Sequence, residues 1–153
     1  MSWLELRVPP PVVTATAALL MWLVGAAVPL LDFELPARGA AVIALAAAGI
    51  AIGIAALFGF RKAKTTINPT TPEASTALVI GGVYRLTRNP MYLAMLIVLG
   101  AWALVVSNFA AFLLLPIFVA YLNRFQIKPE ERALQARFGM EFERYRRSVR
   151  RWL

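Results

Sequence analysis

The sequence predicts an all-α, polytopic membrane protein, with four transmembrane helices and a cytoplasmic amphipathic C-terminal helix. Three observations carry this. Of the 153 residues, 60% are hydrophobic and only 16% charged, against about 45–50% apolar and about 25% charged in soluble domains. The apolar residues gather into four runs free of charge: Val12 to Leu31, Gly39 to Phe60, Met91 to Val106 and Phe109 to Leu122. The net charge of +8 is distributed unevenly between the connections. Disorder is excluded by the high hydropathy and low charge, and the length suits a single domain, residues 1–153.

The first two runs reach the roughly 20 residues that cross a bilayer. Ser2 to Val8 reads as an interfacial segment with Trp3 at headgroup level, and Pro9-Pro10-Pro11 starts the first span, placed at about 12–31. Pro29 kinks or ends it. The second span, about 39–60, is rich in Ala and Gly. Gly49 and Gly53 form a GxxxG step that lets helix backbones approach closely. Packing within the chain is the favoured use, and a homodimer is left open.

Residues 61–89 form a polar linker with turn chemistry at Asn68-Pro69 and Thr71-Pro72. The third span, about 90–106, starts with Pro90 at a first-turn position. Ser107-Asn108 reads as a tight turn into the fourth span, about 109–124. The tail, 125–153, reads as helix from Pro129. Leu134, Phe138, Phe142, Tyr145, Val149 and Leu153 recur at helical spacing and form one apolar stripe, with Arg137, Arg144, Arg147 and Arg151 opposite. Gly139 interrupts it. This helix fits an anionic leaflet and equally fits a roof over a site between the spans.

The linker carries Arg61, Lys62, Lys64, Arg85 and Arg88, and the stretch after Leu122 carries nine basic residues, from Arg124 to Arg151. The loop from Asp32 to Arg38 has two acids and one base. The positive-inside rule then places both termini, the linker and the tail in the cytoplasm. It also accounts for the charge without nucleic acid as a partner. Membrane lipids are the expected surroundings, and the inner or plasma membrane the expected location in a prokaryote.

The sequence has no Cys and no His. That removes thiolate chemistry, the usual base near neutral pH and the commonest metal ligand, so no metal site is expected. Glu130 and Glu131 follow Pro129 and suit the first turn of a helix, where acids complement the dipole. Yet helical spacing puts Glu131 within the apolar stripe, where a carboxylate must be paired or bind a cation. Arg124 reads as a positive-inside anchor beside Asn123.

Gly82-Val83-Tyr84-Arg85-Leu86-Thr87-Arg88-Asn89-Pro90-Met91-Tyr92 resembles the "G-x-Y-R-x-x-R-[HN]-P-x-Y" signature of the isoprenylcysteine carboxyl methyltransferase family. Glu130-Glu131-Arg132-Ala133-Leu134, with Phe138-Gly139, Tyr145 and Val149, resembles that family's closing block. The Glu-Glu pair is also similar to that of phospholipid N-methyltransferases. The resemblance spans about residues 78–153. It implies an integral membrane methyltransferase that uses S-adenosylmethionine, releases S-adenosylhomocysteine, and admits a lipophilic substrate from the bilayer. Carried over by position, Tyr84, Arg88, Asn89, Pro90, Tyr92, Glu130 and Glu131 would line the cofactor pocket. Arg124 would lie near the cofactor or the acceptor as the catalytic arginine. Asn89 stands where eukaryotic members have His, Phe142 replaces the first Tyr of the closing block, and four spans are fewer than those members have.

Such chemistry suits a chain without His or Cys, because the cofactor carries the activated methyl and the protein supplies binding and orientation. Glu130 or Glu131 would meet the cofactor's ammonium, Arg88 its carboxylate, and Tyr84 or Tyr92 the adenine or the sulfonium. The acceptor is left open among a prenylcysteine carboxylate, a phospholipid amine, and a small isoprenoid, thiol or amine. A non-catalytic membrane assembly protein is the reading from another class. A transporter is disfavoured by spans almost without polar groups.

Overall fold

A computed structural model describes residues 5–66 and 72–153. Helix α1 is Pro10–Ala27, α2 is Arg38–Ala63 and α3 is Pro90–Val106. The fourth apolar run is α4 (Phe109–Phe112) and α5 (Leu114–Leu122). It continues through a π-turn, Asn123–Ile127, into α6 (Lys128–Phe138). Helix α7 is Met140–Ser148. Three short 3₁₀ turns, Pro29–Leu31, Pro72–Ala74 and Gly82–Arg85, punctuate the connections. Among the described residues there is no strand, only an isolated bridge between Asp32 and Asn108. Trp3, Asn68, Pro69 and Thr71 lie outside the described residues.

Among the described residues, three helices are long and apolar enough to cross a bilayer: Pro10–Ala27, Arg38–Ala63 and the continuous Phe109–Phe138. Helix α3, with 17 residues, is a shorter apolar one. The boundaries differ from expectation for local reasons. Helix α1 stops at Ala27 rather than residue 31, because Pro29 lacks an N–H and drives Val28 out of the α region, to φ −128° and ψ 62°. The fourth span and the tail helix are one helix, because the π-turn joins them without a loop.

The two short loops meet at one end. Ser107 ends α3 in the left-handed region at φ 56°. The side-chain carbonyl of Asn108 accepts from Ala110 N–H at 2.9 Å, an N-cap, while its amide donates to Val28 O and Asp32 Oδ1, both at 2.7 Å. Arg38 donates to Ser107 Oγ. The linker and the tail meet at the other end. There Leu6 N–H also donates to Phe125 O at 3.0 Å.

Helix α2 packs along α3 through its small residues. A Cβ built on Gly49 would stand 2.8 Å from Val98 Cγ2 and 3.0 Å from Ala94 O. Gly49 is thus consumed by packing within the chain. A buried cluster including Met21, Leu99, Phe118 and Leu122 joins α1, α3 and α5, and Trp102 Nε1 donates to Ala18 O across it at 2.9 Å. The outward faces stay apolar: Trp22, Ile43, Phe58 and Ile117 are all more than half exposed. Such a continuous apolar exterior calls for a non-aqueous surround.

Candidate functional site

A cavity of about 300 Å³ opens at the linker end. All seven residues expected around a pocket (Tyr84, Arg88, Asn89, Pro90, Tyr92, Glu130 and Glu131) line it. The starts of α1 and α3, the end of α2, the linker, α6 and α7 each contribute wall. Tyr92 stands on the first turn of α3, and Glu130 and Glu131 on the first turn of α6.

The two acids have different tasks. Glu130 accepts from the Tyr92 hydroxyl and, at 3.2 Å, from Gln126 Nε2. No cation is paired with it among the described residues. Burial pushes its carboxyl up to about 7, against the lowering effect of the hydrogen bonds from Tyr92 and Gln126. Glu131 lies between two arginines. Arg88 Nη2 donates to its Oε1 at 2.8 Å, and Arg151 Nη2 donates to its Oε2 at 2.6 Å. Burial alone would raise its carboxyl, but the hydrogen bonds from Arg151 and Arg88 prevail and hold it below the usual carboxylate range.

The segment Thr87-Arg88-Asn89 also fastens the end of the tail. Arg88 Nη1 donates to the carbonyls of Arg146 at 3.0 Å and Val149 at 2.5 Å. Its backbone N–H donates to Arg150 O at 2.9 Å. Thr87 Oγ1 and Asn89 Nδ2 both donate to Arg151 O, at 3.1 and 2.9 Å. Arg88 Nε is buried with no hydrogen-bond partner among the described residues. Tyr145 donates its hydroxyl to Tyr84 O at 2.7 Å, and burial raises both phenols well above their usual range, keeping them protonated.

The apolar stripe of the tail faces this site. Leu134, Phe138, Phe142, Tyr145 and Val149 pack with Tyr84 and Ala56. The stripe fails at Leu153, which is 71% exposed, because the backbone leaves the helix at Val149 and the helical period ends there. For the same reason Arg151 turns onto Glu131. Gly139, at φ 51°, makes the bend between α6 and α7.

Arg124 is not brought to the cavity. Its guanidinium lies 3.0 Å from Glu5 and over the Phe125 ring, and its side chain is half exposed. Sequence reasoning also missed several wall residues, among them Phe60, Met95 and Leu78. They read as ordinary span or linker residues, and nothing in their spacing marks them.

The sequence pattern of the phospholipid methyltransferase family matches residues 37–141. A protein of Haemophilus influenzae described as uncharacterized is 48% identical over 63 residues, which are 41% of this chain and the whole of that protein. No solved structure matches the chain. Both motif segments on the cavity wall, residues 82–92 and 130–139, fall inside the matched stretch. The chain therefore belongs to the phospholipid methyltransferase family, and is an integral membrane protein of methyltransferase kind.

Proposed function

We propose that this protein transfers a methyl group from S-adenosylmethionine to a lipophilic acceptor. The observation that carries the reading is the cavity whose wall includes a buried carboxyl with no paired cation, Glu130, together with Tyr84, Tyr92 and Arg88, whose Nε finds no hydrogen-bond partner among the described residues. Those groups fit a zwitterionic, sulfonium-bearing cofactor. Glu130 would face its ammonium, Arg88 its carboxylate, and Tyr84 and Tyr92 would supply aromatic surface for the adenine or the sulfonium. Asn89 and Pro90 would shape the same wall. At about 300 Å³ the cavity is at the lower end of ligand sites, which run to about 1,000 Å³.

The bound cofactor supplies an activated methyl, so the chain needs no metal and no histidine. The chain's own contribution is to orient two ligands and to exclude water. Met91, Met95, Leu78 and Val79 give an apolar portion of wall for a lipophilic acceptor. Acceptors of this kind include a prenylcysteine carboxylate, an isoprenoid, a thiol or an amine. The family match favours a phospholipid amine as the second acceptor class. The site would face the cytoplasm with both termini, following the basic linker and tail.

The test is to incubate the purified protein with methyl-labelled S-adenosylmethionine and a lipid extract from its own source. A labelled lipophilic product supports the reading and identifies the acceptor. Absence of both labelling and cofactor binding favours the non-catalytic reading.

A further inference from the structure

Glu130 owes its direction to the π-turn before it. In that turn Lys128 N–H bonds to Asn123 O, five residues back. One extra residue in a helical turn rotates everything after it by roughly 100° relative to an unbroken α-helix. Without it, Glu130 would point well away from Tyr92. A π-turn is rare and costs helix regularity, so something must hold it.

Two segments remote in sequence grip it from outside. Trp152 Nε1 donates to Asn123 Oδ1 at 3.1 Å, at the first residue of the turn, and its ring packs against the cluster that contains Leu122 and Ile127. On the other side Leu6 N–H donates to Phe125 O in the middle of the turn. Glu5 bridges the turn: its carboxylate takes Arg124 at 3.0 Å and Arg132 at 2.6 Å, one cation within the turn and one in α6 beyond it. The Glu5 side chain is only 5% exposed, although both arginines are half exposed.

We propose that Glu5 and Trp152 are positioning residues for the cavity, acting through the π-turn Asn123–Ile127 to aim Gln126 and Glu130 at Tyr92. Arg124 then serves as the point at which Glu5 takes hold. Neither Glu5 nor Trp152 lines the cavity, so each acts at a distance. The inference concerns the direction of Glu130 and is independent of the ligand that the cavity takes.

The test reads Glu130 itself, without any cofactor, in the full chain reconstituted in lipid nanodiscs. The probe is the infrared band of the protonated carboxyl that disappears in Glu130→Gln, titrated with pH. The groups facing Glu130 are the Tyr92 hydroxyl from α3, Gln126 from the π-turn, Tyr84 from the linker and Glu131 beside it. Trp152→Phe keeps an aromatic ring and removes the N–H donor, and Glu5→Gln removes the ion pairs. Each is expected to rotate Glu130 toward water and to lower its titration midpoint from about 7 toward the ordinary carboxyl range. Asn123→Ala should produce the same shift as Trp152→Phe, with no further shift in the double variant, because both break one contact. A merely structural role lowers the unfolding temperature and leaves that midpoint in place. An unchanged or raised midpoint in Trp152→Phe and Glu5→Gln overturns the proposal. So does a parent protein with no band that Glu130→Gln removes. Failure to bind S-adenosylmethionine bears on the proposed function alone.

Discussion

Arg88 and Glu131, both on the cavity wall, form an ion pair, with Nη2 at 2.8 Å from Oε1 and only 10% and 15% of their side chains exposed. Without Arg88, Glu131 keeps only Arg151 to offset its burial, a loss that stays below the roughly 3–5 kcal/mol of a wholly unpaired buried charge. Arg88 also holds the carbonyls of Arg146 and Val149. Arg151, at 32% exposure, is better solvated. Arg88→Ala is therefore expected to lower the unfolding temperature more than Arg151→Ala, as read by thermal denaturation in detergent. An equal or larger loss in Arg151→Ala contradicts this ordering.

Acidification acts on the same junction. The folded protein holds Glu131 below the usual carboxylate range. Its contribution is thus fully present above that range and is lost as pH falls through the depressed folded value. Unfolding temperature should drop on acidification in the parent, and drop less steeply in Glu131→Gln, which starts from a lower stability. Parallel curves for the two proteins would remove Glu131 from this role.

Glu130 responds in the opposite sense. Its carboxyl titrates near 7 and carries a proton below that. Pairing with a cationic ligand requires the ionised form. Affinity for S-adenosylmethionine should rise as pH rises through about 7, with proton release on binding below it. Calorimetry in buffers of different ionisation enthalpy measures that release. In Glu130→Gln the pH dependence should vanish along with most of the affinity.

The contact between α2 and α3 separates its two glycines. At Gly49 a methyl would strike Ala94 O and Val98, at 3.0 and 2.8 Å, whereas at Gly53 the nearest atom, Ala94 Cβ, lies at an ordinary 3.6 Å. Gly49→Ala should destabilise the protein by about 1–3 kcal/mol, the usual cost of overpacking. Gly53→Ala should be neutral or mildly stabilising. Equal unfolding temperatures for the two variants would contradict this packing.

Much of this architecture is legible in the sequence. Charge-free runs of span length mark the helices, and Pro90, Ser107-Asn108 and Gly139 mark boundaries that the backbone respects. The motif order was enough to gather Tyr84, Arg88, Tyr92, Glu130 and Glu131 around one cavity. What stayed hidden depends on contacts between distant segments. Glu130 and Glu131 are neighbours of one type, and only the arrival of Arg88 and Arg151 at one of them divides their roles. Arg124 takes a site role only through the family resemblance, and in the fold its guanidinium meets Glu5 outside the cavity. A π-turn leaves no periodic trace in five residues. The end of the apolar stripe was missed because the chain leaves the helix at Val149 without a Gly or Pro to announce it.

Isothermal titration of the purified parent and of Glu130→Gln with S-adenosylmethionine tests the central claim most directly. The cavity is expected to give saturable binding at one site per chain in the parent. The variant is expected to bind at least about tenfold more weakly, a loss of about 1.4 kcal/mol or more. No binding by the parent, or equal affinity in the two proteins, would contradict the assignment of this cavity to a methyl donor.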